Sequence, residues 1–185
     1  LINIADTLDG YQIGLINYSR TGVFETGFSY TSNNTMRAVL NSGNRHIYTV
    51  IGIAASPKNF MEGKFSTKDN KNVLIAGLGS RLEIGKFNFD FEIQGNLFGL
   101  EIEKDETKTE EEMYNVDLFA YPSGRVCAGF TPVKHIKLFA GLICSFETKE
   151  NSKAFEKSEH NKKIKIDDEL NIYPEIEAGI CFSLN

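Results

Sequence analysis

Apolar and polar residues alternate along much of the chain with a period of two. At that spacing, successive side chains of an extended strand point to opposite faces. The pattern is cleanest after residue 86. Phe87, Phe89, Phe91, Ile93, Gly95 and Leu97 fall on one face, and Asn88, Asp90, Glu92, Gln94 and Asn96 on the other. A helix, turning about 100° per residue, would smear both sets around its axis. The C-terminal segment repeats the pattern: Ile172, Pro174, Ile176, Ala178, Ile180, Phe182 and Leu184 face away from Asn171, Glu175, Glu177, Gly179 and Ser183. From Ile136, the residues Leu138, Ala140, Leu142, Cys144 and Phe146 form a third apolar row. The row opposite it is mixed, with Lys137, Phe139, Gly141, Ile143, Ser145 and Glu147.

The strands so implied are long. Residues 87–103 form a run of 17, against about 5–6 in an ordinary strand. The connections sort by length. Gly85-Lys86 reads as a tight hairpin, and Thr131-Pro132-Val133-Lys134 as a short turn. Residues 56–71, 104–112 and 149–169 read instead as long polar loops. Tyr121-Pro122-Ser123-Gly124 is read as a bulge or kink inside one strand over residues 113–130, because Pro and Gly mark such places. A true turn there would change the strand count. With the Asn41-Ser42-Gly43-Asn44 turn and the modest Thr31-Ser32-Asn33-Asn34 loop, short and long connections alternate. Counting from Val23 gives eight strands. The expected fold is all-β: an antiparallel up-and-down β-barrel of about eight to ten strands over residues 23–185, preceded by a β-rich repeat remnant over residues 1–22.

Alternation does not say which face is wet. A barrel in lipid turns its apolar row outward, whereas a soluble barrel or sandwich hides it. Three features favour lipid. The strands exceed the roughly 9–11 residues that a tilted crossing needs. Tyr11, Tyr30, Tyr48, Tyr114 and Tyr173 stand near strand ends, where an interfacial girdle would place them. Short turns at one end and long loops at the other is the build of outer-membrane barrels. On the other side of the scale, the chain has no Trp and its strands before residue 56 are short.

Composition narrows the classes. The 185 residues carry 20 Lys and Arg against 25 Asp and Glu, a net charge of −5. That length suits one domain with room for a core or a closed barrel. The acidic balance argues against nucleic acid, whose phosphates call for clustered cations. The longest runs free of polar side chains are residues 73–79 and 138–144, far short of the about 20 residues of a membrane helix. The chain opens on Leu1-Ile2-Asn3-Ile4 without a signal peptide, as if in the middle of a pattern, and is expected to be a mature or truncated piece. Cys127, Cys144 and Cys181 are odd in number and widely spaced, with no metal-binding pattern among them. They are expected as small, partly buried side chains rather than as a disulfide.

The opening motif returns as Leu15-Ile16-Asn17-Tyr18, a period of 14. A hairpin turned by Leu8-Asp9-Gly10 would account for the pair, and a tandem repeat accounts for it better. The stretch GYQIGLINYSRTGVFE, from Gly10, resembles the "surface repeat" family of bacterial envelope proteins. The repeats of that family read roughly G-x-Q-I-G-L-I-N, followed by a Tyr, a basic residue and a Gly. Residues 37–57 (RAVLNSGNRHIYTVIGIAASP) resemble the part that follows those repeats. The resemblance covers about residues 1–57. It implies export and a place in the outer membrane or at the cell surface, and it implies little about biochemistry.

Candidate chemistry is sparse. Arg81, Glu83, Asp90, Glu92, Arg125, Glu175 and Glu177 fall on the inward face and are expected to form an internal salt-bridge network. Glu175 and Glu177 lie about 7 Å apart along a strand, and without Trp to stack a sugar they make a poor hydrolytic pair. His46 and His135 open strands, and His160 sits in a charged loop. No G-x-S-x-G elbow or phosphate-binding loop accompanies them. Lys153, Lys157, Lys162, Lys163 and Lys165 suit a solvated loop that could touch lipopolysaccharide or a surface ligand. No catalytic, cofactor or metal residue is assigned. The expectation is a non-enzymatic outer-membrane barrel, structural or adhesive through its loops, with the lipid bilayer as partner. Two rivals stand beside it: a soluble lipocalin-like binder with Phe87, Phe89 and Phe91 around an apolar ligand, and a lipid-modifying enzyme with His46 or His135 beside a Ser and a carboxylate.

Overall fold

The computed structural model describes residues 2–5, 16–19, 22–44, 46–63, 72–104, 114–148, 163–167 and 169–183. Eight strands close an antiparallel barrel in simple up-and-down order. They are β3 (Val23–Thr31), β4 (Met36–Gly43), β5 (Tyr48–Ala55), β6 (Val73–Ile84), β7 (Phe87–Lys104), β8 (Tyr114–Val133), β9 (Ile136–Thr148) and β11 (Leu170–Ser183). The ring is sealed by β11, which pairs with β9 along one edge and with β3 along the other. A two-residue strand, β10 (Ile164–Lys165), adds to β11 near the long-loop end.

The alternating sequence is what makes these ribbons close. Each of Phe87, Phe91, Ile93, Leu138, Leu142 and Ile176 points outward and is exposed, Ile93 at 76% and Ile176 at 66%. Asn88, Asp90, Glu92, Gln94 and Asn96 alternate with the outward row of β7 and are buried inside. The inner face is not uniformly polar. Val23, Val39, Tyr48, Val50, Ala54 and Ile75 pack together inside the wall formed by β3 to β6. There β5 is apolar on both faces and β4 mixes Val39 with Arg37 and Asn41 on its inner face, which is why their alternation is weak.

Turn chemistry agrees with the pairing. Gly85 adopts the left-handed φ of 63° between the paired residues Ile84 and Phe87. The next short turn falls at Lys134-His135, with His135 left-handed at φ 72° and Val133 paired to Ile136. That is two residues later than the sequence suggested. Likewise β4 continues to Gly43, so its turn follows Asn44 rather than centring on residues 41–44. The β8 strand does run through Tyr121-Pro122-Ser123-Gly124, and its pairing with β7 keeps register there. The irregularities lie elsewhere, between Phe98 and Glu101 and between Phe130 and Val133. Pro122 stands one residue past Ser123, the last β8 position paired to β9. A residue lacking an N–H is tolerated where a ladder ends. Beyond it β7 and β8 continue as a two-stranded arm at the long-loop end.

One helix interrupts the loop after β5. Residues Pro57–Glu62 form α1, with Ser56 as N-cap accepting from the Asn59 N–H at 3.4 Å and Gly63 closing it in a left-handed conformation. The loop expectation for residues 56–71 was therefore too plain at its start, and the remainder, residues 64–71, lies outside the described residues. So do the acidic residues 105–112 and all of residues 149–162.

At the N-terminus, β1 (Ile2–Ala5) and β2 (Ile16–Ser19) pair in parallel, Ile2 opposite Ile16 and Ala5 opposite Ser19. A hairpin would run antiparallel, so that reading is set aside. The offset equals the 14-residue sequence period, as when one repeat stacks on the next. The β2 strand lies near β3, β4 and β5. The first residue of β3, Val23, pairs with Gly43 at the short-turn end.

Candidate functional site: a lumen closed by ion pairs

Inward charged side chains from seven strands meet in two charge-balanced groups. Nearer the short turns, Arg81 on β6 grips Glu25 on β3 with two hydrogen bonds of 2.8 Å. The same guanidinium donates from Nε to Asp90 Oδ1 at 2.6 Å. Lys137 Nζ on β9 completes the ring, donating to Glu25 at 2.9 Å and to Asp90 at 3.0 Å. Two cations thus face two anions.

The second group lies nearer the long loops. Arg125 donates to Glu92 at 2.7 Å and, through Nε, to Glu177. Arg37 donates to Gln94 Oε1 at 2.7 Å and stands 3.6 Å from Glu177. Glu92 also accepts from Tyr48 Oη at 2.9 Å and from Gln94 Nε2 at 2.5 Å. Cys127 and Ser29 each donate to Glu177 at 3.0 Å. Arg81 lies over the Tyr48 ring, 5.6 Å from its centroid, and so joins the two groups. Gly79 makes room for that ring, since a Cβ there would collide with it. Each carboxylate has the paired, hydrogen-bonded surroundings that a buried charge requires.

Above the charges Phe98, Tyr121 and Tyr173 pack together, the first two edge to face at 5.9 Å. At the rim Glu147 accepts from Tyr173 and Asn171, both at 2.8 Å, and pairs with Lys163 at 3.0 Å.

Of the seven residues expected inside, Arg81, Asp90, Glu92, Arg125 and Glu177 join this network. Glu83 is exposed at the short-turn end, and Glu175 is half-buried beside the long-loop end. Reading the sequence missed Glu25, Arg37 and Lys137. Their signal was present in the parity of each strand, since Glu25 opposes outward Phe24 and Lys137 opposes outward Leu138. Tyr48 and Tyr173, expected in an interfacial girdle, point into the barrel and are buried. Tyr30 is exposed as expected. Tyr11 and the side chain of Tyr114 lie outside the described residues, as do His160, Lys153, Lys157 and Lys162.

His46 and His135 are exposed at the short-turn end, and neither ring is hydrogen-bonded to a described residue. The cysteines are free thiols, Cys127 and Cys181 buried and Cys144 half-buried. Phe87, Phe89 and Phe91 face away from the lumen, so they line no inner cavity. Compared with protein-family models, with curated proteins and with solved structures, the chain gives no match.

Proposed function

We propose that this chain is a non-enzymatic barrel of a bacterial outer membrane, with its short turns toward the periplasm and its long loops outward. Its work is structural or adhesive, through what those loops touch. One observation carries the reading: the barrel is apolar outside and charged inside, the polarity suited to lipid and the reverse of a soluble barrel. The height of the apolar face supports it. From Phe87 to Leu97 the outward row climbs about 33 Å along β7, or about 25 Å along an axis tilted by roughly 40°, which equals the apolar band of such barrels.

The resemblance of residues 1–57 to surface-repeat proteins points the same way, and the parallel pairing of β1 and β2 at the repeat spacing suits a tandem array. The bilayer is then the first partner. Lipopolysaccharide or a surface ligand is the second, reached by the loops around residues 104–112 and 149–169. A soluble lipocalin-like binder would need Phe87, Phe89 and Phe91 around its ligand. A lipid-modifying enzyme would need a histidine held by a Ser and a carboxylate.

The test is fractionation of the expressed chain, followed by gel migration with and without boiling. Membrane-bound material that shifts on boiling is the expected result. A chain that stays in solution without detergent would overturn the reading.

A further inference from the structure

Above the barrel wall β7 keeps one partner and loses the other. Its pairing with β6 ends at Leu97 opposite Leu74, while its pairing with β8 goes on to Lys104 opposite Tyr114. Among the described residues, no strand meets the β6 side of β7 over residues 101–104. Such an edge turns backbone N–H and C=O groups outward, and an extended chain can pair with them.

The same end of the barrel already holds one such addition. The pairing of β3 with β11 stops at Thr31 opposite Glu177, and β10 takes over that edge, with Ile164 opposite Ile172 and Lys165 opposite Asn171. Lys163, just before it, pairs with Glu147 of β9 at 3.0 Å. A Lys-Ile-Lys run is thus held by a short backbone ladder and one carboxylate. The bare edge of β7 carries the complementary run, Glu101-Ile102-Glu103. Its two glutamates are two positions apart and so share one face of the strand. The register sets Glu101 opposite Asp117 on β8. Like charges directly opposite are unfavourable, so this stretch gains when a strand bearing cations joins it. Residues 105–112, next in sequence, add five acids and one lysine, which speaks against a second copy of this hairpin as the occupant.

We propose that the edge of β7 over residues 101–104 docks an extended cationic polypeptide in which Lys and apolar residues alternate. It joins the sheet as one more strand, with its cations opposite Glu101 and Glu103. The proposal deepens the adhesive reading above and rests on it, since the long-loop end must face outward for a foreign chain to reach the arm. The backbone ladder supplies the affinity, and the alternation of charge selects the partner.

The experiment uses the full chain refolded in detergent and a fluorescein-labelled peptide, Lys-Ile-Lys-Ile-Lys-Ile-Lys, with binding read by anisotropy. Two controls go with it: the same peptide with alternate amides N-methylated, and a Glu-Ile alternation of equal length. The Lys peptide should bind about tenfold more tightly than its N-methylated form, which keeps the charge and gives up the ladder along one edge. Glu101→Lys with Glu103→Lys should weaken the Lys peptide about tenfold, the worth of two cross-strand ion pairs, and should raise binding of the Glu peptide. Equal binding of the N-methylated form, measured on the parent alone, would reduce the edge to charge attraction and overturn the proposal. A charge-reversed variant that holds the Lys peptide like the parent would overturn it as well. Parent dimers that the charge-reversed variant does not form would assign the edge to a second copy and overturn it too. Gel migration of the same samples separates the levels. A heat-shifted barrel that ignores the peptide sinks the edge alone, and a chain that needs no detergent sinks the membrane reading.

Discussion

Phe89 and Glu92 stand three positions apart on β7 and meet opposite surroundings, and Ile93 shares the outward row of Phe89. Phe89 is 37% exposed on the outer wall, and Glu92 is buried against Arg125, Tyr48 and Gln94. Phe89→Arg places a charge near the short-turn edge of the apolar band and should cost little, whereas Ile93→Arg, near the middle of the same row, should cost about 2–4 kcal/mol if the band meets mid-bilayer lipid. Glu92→Leu should leave insertion intact and act on the folded barrel, removing one of the two carboxylates that hold the buried Arg125 at up to about 3–5 kcal/mol. Urea unfolding from lipid vesicles measures all three, with vesicle binding scored separately. An Ile93→Arg variant as stable as the parent in vesicles would show that this face does not meet lipid.

Among the elements, β7 was the most legible because every second residue changes polarity across its first eleven positions. The eight-strand count, the tight Gly85 turn and the single β8 strand were also readable. What escaped has physical reasons. On β5, and over Ala38-Val39-Leu40 of β4, both faces are apolar, so parity could not sort Val39 and Val50 inward from Ile51 and Ile53 outward. The α1 helix announced itself through Ser56-Pro57, an N-cap followed by proline at the first helical position, in a stretch that polarity alone marks as loop. Ion-pair partners were out of reach, since Glu25 and Lys137 are 112 positions apart and only barrel closure brings them together.

The β1–β2 pair carries its own test. In a chain with Asn3→Cys and Asn17→Cys, or with Ala5→Cys and Ser19→Cys, mild oxidation should link each pair, because facing backbones lie within disulfide reach. Peptide mapping reads the links. An antiparallel hairpin brings at most one of the two pairs together, so a single successful pair would contradict the parallel register.

For the whole molecule, eight strands enclose a space that side chains just fill, and here the filling is ion-paired and hydrogen-bonded from wall to wall. No continuous water path is expected through it. In planar bilayers the refolded chain should give no steady conductance steps in about 1 M KCl, a salt level whose Debye length of roughly 3 Å screens exposed charges but not buried pairs. Regular ohmic steps would show that the network opens.

Closure by β11 also sets a clock. The seam joins the first barrel strand to the last, and its Ser29–Glu177 contact spans 148 positions. Contacts so distant along the chain form late and slowly, because the loop entropy is lost before the pairing rewards it. Until that final strand docks, both β3 and β9 present an unsealed hydrogen-bonding edge, a template for any passing extended chain. The most vulnerable interval in the life of this barrel is therefore the last moment of its assembly, when all the other neighbouring strands are already joined and the ring is still open.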